Sequence, residues 1–191
     1  MYLDSVVRFL DNNSVGAAIG AFLAFFLVAA TDWRRHRAKK KLIPIRLRII
    51  RDIAVRKIET AKNNVAMIHE GRFTDAPVMK FPVADLQGLQ KECLDLLSAD
   101  EINALDALIY WLEAIDGVFD EARSIAVSLK KLALINAPTG ERAPIGEQLV
   151  DTFGDAEKNL GMLLELLDFY LAGNSRGILE FQYARDAVAK R

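Results

Sequence analysis

Two pairs of acidic residues are the first candidates for catalysis or for binding a metal ion. Glu165 and Asp168 are three positions apart, and Asp116 and Asp120 are four apart. On a helix, either spacing brings both carboxylates to one face, where they could serve acid–base catalysis or bind a cation. A solvated acidic helix face accounts for the same spacing without any ligand, and this is the interpretation that we favour.

Two histidines and one cysteine complete the set of candidate metal ligands and nucleophiles. His36 lies among basic residues, which disfavour a cation, and His69 is a lone histidine where a di-iron bundle needs paired Glu-x-x-His sets. Cys93 has no cysteine partner and lies among leucines, so we predict a buried thiol. The sequence contains no zinc-peptidase, phosphate-loop, dinucleotide-binding or nucleophile-elbow motif. It therefore predicts a protein that is not an enzyme and that holds no cofactor and no metal.

The element that would position the rest of the chain is an apolar run near the N-terminus. Residues 15–30 read VGAAIGAFLAFFLVAA and contain no charge. With Ser14 and Thr31 the run measures ~27 Å as a helix, close to the ~30 Å of a bilayer core. Trp33 follows at a position where an indole favours the membrane interface. We predict a transmembrane helix over 14–33, preceded by a short extracytoplasmic or interfacial segment, 1–13.

Two other interpretations of the apolar run are a cleaved signal peptide and a core helix of a soluble protein. A signal peptide begins with a basic region, whereas the first 13 residues carry Asp4, Arg8 and Asp11. The length of the run and the basic residues that follow it at once distinguish it from a core helix. Both alternatives are therefore less favoured than a membrane anchor.

Charge is distributed unevenly after the anchor. Between Arg34 and Arg51 there are nine Lys or Arg and no acid, while from Asp52 onward there are 15 basic and 23 acidic residues. We call residues 34–44 the basic collar and expect it to contact the anionic head groups of a lipid bilayer; nucleic acid is a weaker candidate. The residues expected at the lipid surface are Trp33, Arg34, Arg35, Arg37, Lys39, Lys40 and Lys41.

The same asymmetry predicts an orientation. Because positive residues stay on the cytoplasmic side, the N-terminus is expected outside and the body of the protein in the cytoplasm, at the inner membrane. Within the anchor, Gly16, Gly20 and Ala24 form a stripe of small residues. Such a stripe allows two membrane helices to approach closely, so we predict that the chain can form a homo-oligomer.

The fold predicted for the whole chain is all-α, with a single N-terminal transmembrane helix and a cytoplasmic up-down bundle of about four helices over 45–191. Pro44 either kinks a continuous helix or begins a new one, which then runs to His69 and ends at Gly71. A loop and a short helix over 85–97 follow. Ser98 and Glu101 match a capping box.

The long helix that follows the capping box is predicted to end near residue 135. Residues 136–146 contain two prolines and two glycines and predict a surface loop. The next helix has the most regular apolar spacing in the chain and ends at Gly173. Its seam consists of Leu149, Phe153, Ala156, Leu160, Leu163, Leu167 and Tyr170, which suits a bundle core or an oligomer interface.

These features favour a non-enzymatic, membrane-anchored interaction or scaffold module that is able to self-associate and whose protein partner the sequence does not identify. An alternative is an oligomeric pore or membrane effector of a bacterial toxin or phage-defence system, which would abolish the membrane potential on overexpression. A third hypothesis is an enzyme assembled across subunits where acidic helix faces meet, and it would be supported by a metal that copurifies.

Overall fold

The computed structural model describes residues 13–72 and 79–189, and within them the side chains of 17–72 and 79–183. The N-terminal segment predicted over 1–13 lies almost entirely outside this range. The described chain is helical, as predicted. Its helices are α1 (Asn13–Lys40), α2 (Leu42–His69), α3 (Val83–Glu92), α4 (Ala99–Leu134), α5 (Thr139–Leu171) and α6 (Ser175–Ala189), with a 3₁₀ turn at Leu94–Leu96.

The anchor and the first bundle helix are nearly continuous. The only interruption between α1 and α2 is at Lys41, whose backbone keeps helical dihedral angles (φ −67°, ψ −17°). Pro44 explains the interruption, because it has no N–H to donate to the carbonyl of Lys40 and its ring crowds that carbonyl. The helical direction therefore carries from the apolar run into the bundle with a local adjustment only.

All three long bundle helices end in the same hydrogen-bonded motif. A residue with positive φ follows each of them: Gly71 (71°), Asn136 (53°) and Gly173 (78°). In each case its N–H and that of the next residue donate to carbonyls of the last helical turn, which is the Schellman arrangement. The predicted ends at Gly71 and Gly173 are confirmed.

The predicted loop over 136–146 is wrong, because α5 already begins at Thr139. Pro138 caps the helix from outside with an extended backbone, and Pro144 lies in its second turn. Pro138 lies outside the first turn and removes no helical hydrogen bond, whereas Pro144 lies inside the helix and removes the bond to the Gly140 carbonyl without ending the helix. The connection between α4 and α5 is therefore only 135–138. The predicted short helix over 85–97 also differs, since α3 ends at Glu92 and the chain continues as the 3₁₀ turn.

Contacts between helices show an up-down arrangement. α2 leads away from the anchor, and α3 returns so that Glu92, its last residue, pairs with Lys39. α4 starts beside Lys40 and leads away again, and α5 returns to bring Asp168 to Arg51. Both α2 and α4 pack along α5, and α6 covers α4 and α5.

The core lies where α2, α4 and α5 meet. Leu47, Leu108 and Leu160, one from each helix, are completely buried. All seven residues of the α5 seam are buried within the single chain. The capping box that starts α4 is present, with the Ser98 hydroxyl accepting from the Glu101 N–H and the Glu101 carboxylate accepting from the Ser98 N–H. Cys93 is buried as predicted.

One charged residue lies inside this core. Lys57 in α2 is only 4% exposed, and its ammonium donates to the Asp116 carboxylate at 2.7 Å. The rings of Phe81 and Phe119 lie 4.6 and 4.4 Å from the same nitrogen. Asp116 also accepts from the Phe81 N–H at 3.0 Å, so it is not the solvated carboxylate that its spacing suggested. Burial lowers the pKa of Lys57, and Asp116 opposes that shift.

The buried pair predicts an asymmetric response to mutation. Asp116→Ala leaves the Lys57 ammonium without its carboxylate partner, and we expect it to cost about 3–5 kcal/mol of unfolding free energy. Adding Lys57→Met removes the buried charge and should restore part of that loss, while the Phe81 N–H still lacks its acceptor. Urea unfolding of the full chain in detergent, followed by circular dichroism, measures both variants. A double variant as unstable as the single one would contradict this account.

Candidate membrane interface

The anchor helix exposes its apolar side chains along its whole described length. Every residue from 17 to 38 is exposed, including Phe22 (64%), Phe25 (71%) and Leu27 (69%). Within the described residues, one helical stretch, Ala17–His69, contains a segment long and apolar enough to span a membrane. Apolar surface of this extent needs a lipid or protein environment, because large exposed apolar patches are rare on soluble monomers.

The small-residue stripe of the anchor faces no other part of the described chain. A Cβ added at Gly20 would meet no atom within 4 Å, and Ala24 is exposed. Gly16 lies on the same helix, but its surroundings fall outside the described side chains. The stripe is therefore available to another helix.

Four of the nine cations between Arg34 and Arg51 pair with acids of the bundle. All of these partners lie on α3, α4 or α5. The pairs are Lys39 with Glu92 (3.0 Å), Lys40 with Glu101 (3.1 Å), Arg46 with Asp85 (3.7 Å) and Arg51 with Asp168 (2.8 Å). A fifth cation, Arg35, approaches Asp32 within α1 at 4.0 Å. We call residues 34–51 the basic segment. It binds the acidic body and also presents positive charge to its surroundings.

Lys40 makes the most extensive of these contacts. Its ammonium donates to the Leu96 carbonyl at 2.7 Å and to the Glu101 carboxylate at 3.1 Å. The same Glu101 oxygen accepts from the Ser98 N–H at 2.8 Å. We call Lys40, Leu96, Ser98 and Glu101 the anchor clamp, because they join the end of α1 to the 3₁₀ turn and the start of α4.

The ionisation of Glu101 governs the anchor clamp. Burial alone would raise the pKa of this carboxyl, but hydrogen bonds from Ser98 and Lys40 outweigh it and hold the pKa below its ordinary value. A lowered folded-state pKa stabilises the fold above the ordinary carboxyl pKa. That contribution is lost as the pH falls through the lowered value.

The cations without an ion pair lie on a different side of the helix. Among the described residues, Arg34, Arg37, Lys41 and Arg48 form no ion pair. At ~100° per residue these four positions fall within about 60° of arc, because the backbone stays helical through Lys41. We call them the unpaired basic stripe. Arg37 also stacks on Trp33, with its guanidinium carbon 4.6 Å from the ring centroid. Trp33 is 52% exposed.

A cavity of about 510 Å³ opens beside this stripe, between the start of α2 and the end of α5. Arg37, Lys40 and Lys41 supply its positive charge, and Glu101 is the one acid that lines it among the described residues. Its remaining lining residues are Ile43, Pro44, Tyr170, Leu171 and Gly173. The cavity is thus lined by both cationic and apolar residues, at the end of the bundle nearest the anchor.

The acidic pairs and histidines considered as chemical candidates are not assembled into a metal site. Asp120 pairs with Lys80, Asp168 pairs with Arg51, and His36 and His69 are exposed. The described residues contain no group of three His, Cys, Asp or Glu side chains able to hold a metal ion. A second cavity of about 430 Å³ lies at the far end of the bundle, where the Arg142 Nε is buried without a hydrogen-bond partner.

Comparison of the chain with protein-family models, with curated proteins and with solved structures gives no match.

The anchor clamp predicts a localised effect of Lys40→Met. Losing two hydrogen bonds from a half-buried ammonium should cost about 1–2 kcal/mol locally, which corresponds to a roughly five- to thirtyfold faster amide exchange over 94–102. Hydrogen–deuterium exchange of the full chain in detergent measures this change.

Lys39→Met is the matched control for Lys40→Met. It removes the same charge one residue earlier, but the Lys39–Glu92 pair is about half exposed and worth at most about 1 kcal/mol. Equal exchange changes in the two variants would show that Lys40 has no special role.

Proposed function

We propose that the protein is a single-pass, membrane-anchored helical interaction module with no catalytic activity of its own. The observation that carries this proposal is the fully exposed apolar surface of α1, which continues directly into a folded bundle. A spanning helix satisfies its own backbone hydrogen bonds and places such surface in lipid. Anchoring would concentrate the bundle near other membrane components and raise its effective concentration for a protein partner.

The proposed orientation places the N-terminus outside and the bundle in the cytoplasm. The charge asymmetry on the two sides of the apolar run supports it, because Arg34, Arg37 and Lys41 remain unpaired on the bundle side. An acidic body that neutralises part of the basic segment through ion pairs leaves these cations for anionic lipid. The inner membrane is the proposed location.

We also propose self-association through Gly16, Gly20 and Ala24. Small residues four apart let helix backbones approach and gain van der Waals contact in lipid. The open space around Gly20 supports this proposal, since no element of the same chain occupies the stripe. The α5 seam is already buried within the chain and is therefore not available for this purpose.

Alkaline carbonate extraction of membranes tests the anchor. The natural chain should stay in the membrane pellet. Phe22→Lys combined with Phe26→Lys should release it, because each charge at the centre of a spanning helix costs about 3 kcal/mol of insertion free energy. Leu134→Lys combined with Ile135→Lys adds the same charges at exposed bundle positions and should leave the protein in the pellet. A natural chain found in the supernatant would overturn the proposal.

A membrane two-hybrid assay tests self-association. Gly16→Ile combined with Gly20→Ile should reduce the signal by at least about half, because the added side chains hold the backbones apart. Ala18→Ile combined with Ala29→Ile adds similar bulk on the opposite face of α1 and should leave the signal near its original level. An undiminished signal in the glycine variant would exclude the stripe as the contact.

A further inference from the structure

We propose that the cavity lined by Arg37, Lys41 and Tyr170 is a discrete binding site for the phosphate of an acidic phospholipid. This inference rests on the proposed membrane anchoring and makes it more specific. General attraction between a basic segment and anionic lipid needs no cavity and no particular residue. A site, in contrast, requires cations left without partners, an uncharged donor and a shape that accepts the ligand.

The three cations that line the cavity differ in whether they already have a partner within the chain. Lys40 already binds Leu96 and Glu101, and this pairing neutralises the one acid among the described residues that line the cavity. Arg37 and Lys41 form no ion pair in the described part of the chain. The cavity therefore keeps two positive charges whose natural counter-ion is an anion from outside the chain.

Tyr170 supplies the uncharged donor. Its side chain is 9% exposed, it lines the cavity, and its hydroxyl has no hydrogen-bond partner among the described residues. Among the described residues, the Arg142 Nε is the one buried side-chain polar atom without a partner, so the Tyr170 hydroxyl is accessible and can donate to a ligand oxygen. Burial also raises the pKa of Tyr170, so the hydroxyl keeps its proton and can donate to a phosphate oxygen.

The apolar wall and the position of the cavity favour a lipid over a free phosphate ion. Ile43, Pro44 and Leu171 also line the cavity, and their apolar surface suits the glycerol carbons of a lipid. Arg37 and Lys41 follow Ala30 by seven and eleven residues, which corresponds to ~10 and ~16 Å along a helix. Their long side chains reach back toward the head-group layer, which extends ~5–8 Å beyond the bilayer core.

The test is a titration of phosphatidylglycerol into the full chain in a neutral detergent, with bound lipid counted by native mass spectrometry. Arg37→Gln combined with Lys41→Gln should weaken binding at least about tenfold, and Tyr170→Phe about three- to tenfold. Arg34→Gln combined with Arg48→Gln is the matched control. It removes two charges from the same unpaired basic stripe outside the cavity, so binding should weaken less than about threefold.

Further ligands distinguish the source of the phosphate. Phosphatidylcholine, with a phosphate but no net charge, should bind at least about tenfold more weakly than phosphatidylglycerol. Glycerol 3-phosphate and inorganic phosphate should not compete at concentrations that saturate with the lipid. Competition by either soluble phosphate would overturn the lipid assignment.

Two results would overturn the site itself. One is an equal loss of binding in the control pair and in the cavity pair, which would indicate unspecific attraction. The other is unchanged binding by Tyr170→Phe, which keeps the fold and every charge. Carbonate extraction of each variant reports anchoring separately, so failure of the site is distinguishable from failure of the membrane proposal.

Discussion

The interaction on which the arrangement of the molecule depends is the one that Lys40 makes at the end of the anchor helix. Its ammonium satisfies a carbonyl of the 3₁₀ turn and a carboxylate that also caps α4. The near-continuous helix sets the direction of α1, but its interruption at Lys41 is a point where it could bend. The anchor clamp restrains that point, because it joins the end of α1 to two elements that lie far from it in sequence.

The cations of the basic segment fall into two sets, which differ in whether they pair with acids of the bundle. Cations that face α3, α4 and α5 are used within the chain, and those of the unpaired basic stripe are left for the surroundings. One stretch of sequence thus attaches an acidic body and also keeps unpaired positive charge, which we propose attracts anionic lipid. The cavity lies where the two sides meet, so Lys40 and Lys41, neighbours in the chain, have different partners.

Sequence patterns predicted the local features of this fold well. The Ser98 capping box and the helix ends at Gly71 and Gly173 depend on a few adjacent residues, and the α5 seam follows from periodicity alone. The start of α5 was missed because Pro138 and Pro144 suggest a loop when their position relative to a helix N-terminus is unknown.

Features that depend on distant partners were not predictable in this way. Lys57 lies at a helical spacing from the buried Ala54 and Ala61, and this spacing alone could have indicated that Lys57 is buried. Its acceptor Asp116, however, is 59 residues away and could not be predicted from the spacing. The separation of paired from unpaired cations likewise depends on acids up to 117 residues away. A charged residue that lies between two small residues on the buried face of a helix therefore indicates a buried ion pair.

The central proposal is that α1 crosses a membrane with the bundle on the cytoplasmic side. Its most direct test is labelling of single cysteines in intact cells with a membrane-impermeant maleimide, in a chain carrying Cys93→Ala. The account predicts that Ser5→Cys is labelled in intact cells and that Ser128→Cys, on the exposed surface of α4, is labelled only after lysis. Labelling of Ser128→Cys in intact cells would contradict it.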